Sequence, residues 1–99
     1  MVKHIVLFKL KDTLSEEEKM DVMTRFKNAI EALPEQIDFI RQVFVGLNCN
    51  SAEKWDICLE SSFDTLEDVK AYSVHPAHVA AAVILKDAKA DRACADYEC

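Results

Sequence analysis

The segment Val2 to Leu10 alternates along its whole length, with His4, Val6, Phe8 and Leu10 on one side and Lys3, Ile5, Leu7 and Lys9 on the other. Alternation at a period of two predicts an extended strand, and here both sides carry hydrocarbon. Such a strand needs cover on two faces, and the order of the remaining elements decides what supplies it. With one glycine and two prolines in 99 residues, little of the chain has loop composition, and the elements that supply the cover must follow one another closely.

The rest of the chain reads as follows. Ser15 followed by Glu18 is a capping box, the serine oxygen accepting from an orphan backbone N–H while the glutamate reaches back to the cap. It opens a helix in which Met20, Val22, Met23, Phe26, Ala29, Ile30 and Leu33 form an apolar stripe, ended near Leu33 by Pro34. Ile40 to Leu47 holds a β-branched and aromatic run stopped by Gly46, and predicts a second strand. Trp55, Ile57, Leu59, Ser61 and Phe63 alternate with Asp56, Cys58, Glu60 and Ser62, which predicts a third strand with one apolar face. Thr65 with Asp68 marks a second helix reaching His75 and Pro76, a proline position that suits the first turn of a new helix. The alanine-rich segment Ala77 to Ala90 is expected to be helical, and Arg92 to Tyr97 to be a fourth strand.

Strand, helix, strand, strand, helix, strand is the split βαβ order, so the expected architecture is an α+β, ferredoxin-like βαββαβ protomer in a single domain spanning residues 1–99. Helices cover one face of a four-stranded antiparallel sheet. On the other face Ile5, Leu7 and Cys58 lie among Lys3, Lys9, Asp56 and Glu60, a mixture of hydrocarbon and charge that a two-fold pairing of sheets would bury. A homodimer is therefore the expected assembly.

Charge and hydropathy remove other classes. Eighteen acidic against twelve basic residues give a formal charge of −6, which repels phosphate backbones and anionic headgroups, so no nucleic-acid or membrane partner is expected. The longest apolar run, Val79 to Leu85, falls far short of the roughly 20 residues of a membrane span. Lys3, His4, Lys9, Lys11 and Asp12 interrupt any apolar leader, so the expected location is cytoplasmic. Cys49, Cys58, Cys94 and Cys99 have no C-x-x-C spacing and are expected to be reduced thiols, neither zinc ligands nor a disulfide framework.

Three stretches together resemble a known family: Val2-Lys3-His4-Ile5-Val6-Leu7-Phe8-Lys9 at the start, Val45-Gly46 before an asparagine-bearing loop, and Ala71-Tyr72-Ser73-Val74-His75-Pro76-Ala77-His78 downstream. The chain is similar over nearly its whole length to the stress-responsive dimeric α/β-barrel family, often called Dabb. The resemblance implies a ferredoxin-like protomer whose sheet pairs with a second copy to close a barrel. That family includes a plant polyketide cyclase that works without metal or organic cofactor, heat-stable plant stress proteins and bacterial members without assigned activity. By motif the cyclase's tyrosine and histidine pair falls on Tyr72 and His78, and a strand-one pocket histidine falls on His4. Ile57 and Phe26 stand where the cyclase has a further histidine and an aromatic hydroxyl, so two polar groups that orient a polyketide are replaced by hydrocarbon.

Two functions are then open, with enzyme status undecided between them. One is a stress-associated barrel that binds a small aromatic or acyl ligand. Its cavity between sheet and helices is expected to draw on His4, Val6, Phe8 and Leu59 from strands, Val22 and Phe26 from the first helix, and His75. The other, implied by the resemblance, is cofactor-independent cyclase-like or oxygenase-like chemistry on a carbonyl or phenolic substrate, with His78 as base and Tyr72 as hydrogen-bond donor. Phe8, Met23, Phe26, Trp55, Phe63 and Tyr72 form an aromatic and methionine set that either lines such a cavity or simply fills the core. His75 before a proline suits a local cap. His75 and His78 stand three apart, a spacing found in metal sites, yet no acidic or thiol neighbour in sequence completes a donor set, so no metal and no cofactor are expected.

Overall fold

The computed structural model describes residues 1–99 and has the order β1 (Val2–Leu10), α1 (Glu16–Glu31), β2 (Gln42–Leu47), β3 (Ile57–Phe63), α2 (Leu66–Val74), α3 (Pro76–Ala82) and β4 (Lys89–Glu98). Short 3-10 turns, Leu33–Glu35 and Val83–Leu85, follow α1 and α3. The four strands form one antiparallel sheet in the order β2-β3-β1-β4, which is the ferredoxin-like arrangement. No helix is long and apolar enough to cross a membrane.

The first strand behaves as its alternation requires. His4, Val6, Phe8 and Leu10 are buried, while Lys3, Ile5, Leu7 and Lys9 between them are only partly so. The buried side joins Val22, Phe26 and Ile30 of α1, Leu59 and Phe63 of β3, and Val69 and Tyr72 of α2 in one apolar core. Helix α1 starts at the capping box, with Ser15 Oγ accepting from the Glu18 N–H and a Glu18 carboxylate oxygen from the Ser15 N–H. Its buried stripe is narrower than the sequence suggests: Val22, Phe26 and Ile30 are in the core, but Met20 is 54% exposed.

Four boundaries differ from expectation. Strand β2 begins at Gln42 and runs through Gly46 to Leu47; the glycine does not stop it, because its backbone has no positive φ and the Phe44 ring leans over the space a Cβ would take. Strand β3 begins at Ile57, so Trp55 does not share the core-facing phase of the strand. It lies partly buried in a surface hollow beside Leu7, Leu47 and Cys58. The largest departure is the segment expected as helix from Ala77 to Ala90. Helix α3 ends at Ala82 and β4 starts at Lys89. Alanine favours helix by only tenths of a kcal/mol per residue, whereas β4 pairs with β1 from Val2–Glu98 to Leu10–Lys89. The Lys11 N–H to Ala88 carbonyl bond and buried Leu85 pin the turn that makes this pairing possible.

On the face away from the helices, strand register sets Phe44, Glu60, Ile5 and Ala95 in one row and Gly46, Cys58, Leu7 and Ala93 in the next. Phe44 is 54% exposed and Tyr97, at the end of the Gln42, Ser62, Lys3 row, 50%. This face is more apolar than the sequence alone suggests. Asp56 belongs to it only in part, since its carboxylate accepts from the Leu10 N–H at 2.7 Å and clamps the end of β1.

Candidate functional site

The break between α2 and α3 builds the site. His75 is extended, with φ −64° and ψ 134°, and its Nδ1 accepts from the Ala77 N–H at 3.1 Å, capping α3 at Pro76. The chain turns there. Tyr72, fully buried on α2, and His78, in the first turn of α3, thereby meet with ring centroids 4.3 Å apart. Six residues of continuous helix would have set them on different faces.

His78 Nδ1 lies 3.1 Å from the Ser73 carbonyl oxygen. A carbonyl only accepts, so Nδ1 carries the proton and Nε2 keeps a free lone pair. Burial lowers the His78 pKa from its ordinary value, opposed by the Ser73 bond, and the charges of neighbouring His4 and Arg92 push the same way as burial. The ring is therefore neutral at pH 7 and able to take a proton. His4, 5% exposed, donates from Nδ1 to the Asp96 carboxylate, its cross-strand partner on β4. Its ring stands edge-on to Tyr72 at 6.2 Å between centroids.

Between these groups and the sheet lies a cavity of about 110 Å³. Of the residues expected to line it, His4, Val6, Phe8, Phe26, Leu59 and His78 do. Val22 sits in the core beside it, and His75 is turned to capping. Tyr72 lies behind His78 rather than in the wall. Of the aromatic and methionine set only Phe8 and Phe26 line the cavity, their rings edge to face at 5.5 Å. Ser73, Ala82, Leu85, Lys89 and Arg92 complete the wall, and none of these five stood out in the sequence. Lys89 and Arg92 arrive through the register of β4, which no local pattern encodes.

The Tyr72 hydroxyl is buried and finds no partner among protein groups, and burial pushes the phenol well above its ordinary range. An unpaired buried hydroxyl costs about 1–3 kcal/mol. Tyr72→Phe is therefore expected to raise the unfolding free energy of the ligand-free protein by about that amount, read from urea unfolding. A loss of stability instead would show that the hydroxyl is satisfied. His4 Nδ1, Cys94 Sγ and a carboxylate oxygen of Asp96 all lie within 4.8 Å of one another, with the sulfur 3.6 Å from the nitrogen. These are zinc-type donors. His75 and His78 do not join them, one engaged as a cap and the other on Ser73.

Comparison with known proteins shows the family and the fold. The family described as Stress responsive A/B Barrel Domain matches residues 2–99. A dimeric ferredoxin-like protein from Bacteroides fragilis, known as a crystal structure, is 60% identical with a TM-score of 0.96, over 98% of this chain and 94% of that one. Olivetolic acid cyclase of Cannabis sativa is 30% identical over 81 residues, 79% of this chain and 76% of the cyclase. The stress-response A/B barrel domain-containing protein DABB1 of Arabidopsis thaliana is 30% identical over 79 residues, 80% of this chain and 38% of that protein.

Proposed function

Because the chain belongs to the stress-responsive A/B barrel domain family, we propose that it works as a homodimer in which each protomer takes a small apolar or aromatic ligand into the cavity between sheet and helices. The observation that carries this reading is the cavity itself, walled by hydrocarbon and by the two imidazoles of His4 and His78. Apolar walls with a few convergent polar groups are the usual make-up of a small-molecule site. At about 110 Å³ it suits one ring or a short acyl chain, on the scale of cavities of roughly 150 Å³ that hold benzene. The dimer is supported by the apolar outer face and by the dimeric Bacteroides fragilis relative.

Acetophenone, one ring with a carbonyl, is a suitable probe. It is expected to raise the melting temperature of the wild type by mass action, and Ala82→Trp, which puts an indole on the cavity wall, is expected to abolish the shift. An equal shift in both proteins would place the ligand elsewhere and overturn the reading.

A second reading is favoured by the free Nε2 of neutral His78 in the cavity wall. His78 would take a proton from the carbon beside a carbonyl, the C–H electron pair passing to the carbonyl oxygen as an enolate; return of the proton closes the cycle, and Tyr72, behind His78 and outside the wall, takes no part in it. In deuterium oxide this chemistry exchanges the acetophenone methyl hydrogens. Because burial lowers the His78 pKa, the rate is expected to rise with pH below the ordinary imidazole range and to be level by pH 7. Exchange equally fast in His78→Ala would exclude the step.

A further inference from the structure

Lys89 and Arg92 give the cavity a character that the rest of this acidic molecule lacks. The chain has 18 acidic residues, and each of the four other sizeable hollows in its surface has at least one carboxylate in its wall. The cavity beside His78 has none, and it has two cations. Arg92 stands directly across from Phe8 in the β1–β4 register, and the Lys89 ammonium lies 6.0 Å from the centre of the Phe8 ring. Both side chains are exposed at the mouth, and neither makes an ion pair within the chain. Two nearby acids on β4 are already engaged: Asp96 by His4, and Asp91 by the Arg92 N–H at 2.8 Å and by Lys54 at 3.9 Å.

Resting on the reading that this cavity takes a small apolar ligand, we infer that the ligand is an anion, an aromatic or short acyl carboxylate. Its hydrocarbon lies against Phe8, Phe26 and Leu85 and its carboxylate is held at the mouth by Lys89 and Arg92. The division of labour follows from the geometry. Hydrocarbon deep in the cavity supplies burial, while a guanidinium and an ammonium at the rim supply charge-assisted hydrogen bonds to a planar carboxylate, the guanidinium in its preferred forked geometry. Attraction at a wetted rim is screened by salt, so selectivity for the anion must fall as ionic strength rises.

Benzoate and benzamide, equal in shape and different in charge, separate the contributions. Binding is followed by the chemical shifts of the His4 and His78 imidazoles in the full-length protein. Benzoate is expected to bind the wild type about tenfold more tightly than benzamide at low salt. In the double variant Lys89→Gln, Arg92→Gln that preference is expected to shrink to within about twofold while benzamide binds as before. Lys70→Gln, a charge change on the exposed side of α2 and outside the cavity wall, is expected to leave the preference intact. Equal binding of the two probes to the wild type, or a preference that survives the double substitution, overturns the carboxylate assignment and leaves the cavity as a neutral site. Absence of any imidazole response to either probe overturns the ligand-binding reading along with it.

Discussion

Replacing Phe26 by alanine is expected to lower the unfolding free energy by about 3–5 kcal/mol, the usual cost of truncating a buried phenylalanine. Phe26 is 2% exposed, packs edge to face on Phe8, and belongs to the one core cluster of the molecule. Domains of this size have about 5–15 kcal/mol in all, so a large share would go, and the melting temperature would fall by about 4–8 °C for each kcal/mol. Phe26 also lines the ligand cavity, which the truncation enlarges. A fitting ring compound is then expected to restore part of the loss by refilling the space. The control is Met20→Ala, 54% exposed on the same helix and outside the cavity wall, where unfolding should change little. Phe26→Ala within about 1 kcal/mol of wild type would show that the core collapses around the gap.

Leu7→Asp is expected to convert the protein from two chains to one at micromolar concentration, measured by light scattering coupled to size exclusion. Leu7 sits in the middle of the outer face, between Cys58 on β3 and Ala93 on β4. Partly exposed in the single chain, it can become aspartate without placing charge in the protomer core. In a sheet-to-sheet dimer the same carboxylate would be taken out of water opposite hydrocarbon, at a cost of several kcal/mol, and Glu60 nearby adds like-charge repulsion. The circular dichroism of the variant should stay that of the wild type. Retention of the two-chain mass would mean that the copies meet through another surface.

Much of the fold is legible in the sequence, and the reason differs from element to element. The two-sided alternation of β1, the capping box at Ser15 and the Thr65 cap are local patterns, decided by neighbours within four residues, and the structure keeps all three. Ala77–Ala90 misleads because the competing interaction, the pairing of Lys89 with Leu10, joins residues far apart in the chain. Trp55 misleads in a smaller way, since an alternating pattern does not say where a strand begins.

The candidate site divides along the same line. His4, Val6, Phe8 and Leu59 follow from strand phase, and Tyr72 and His78 from a short motif whose His-Pro step sets the turn. That His78 holds its proton on Nδ1 depends on the Ser73 carbonyl, that the Tyr72 hydroxyl goes unpaired depends on everything packed around it, and that Lys89 and Arg92 guard the mouth depends on β4 register. The order of elements and the need for cover on both faces of the sheet were determined by the sequence by itself, because periodicity and capping act over a few residues. Which charges and lone pairs meet in the cavity was decided only by tertiary structure, because those contacts close loops across most of the chain and no local pattern encodes them.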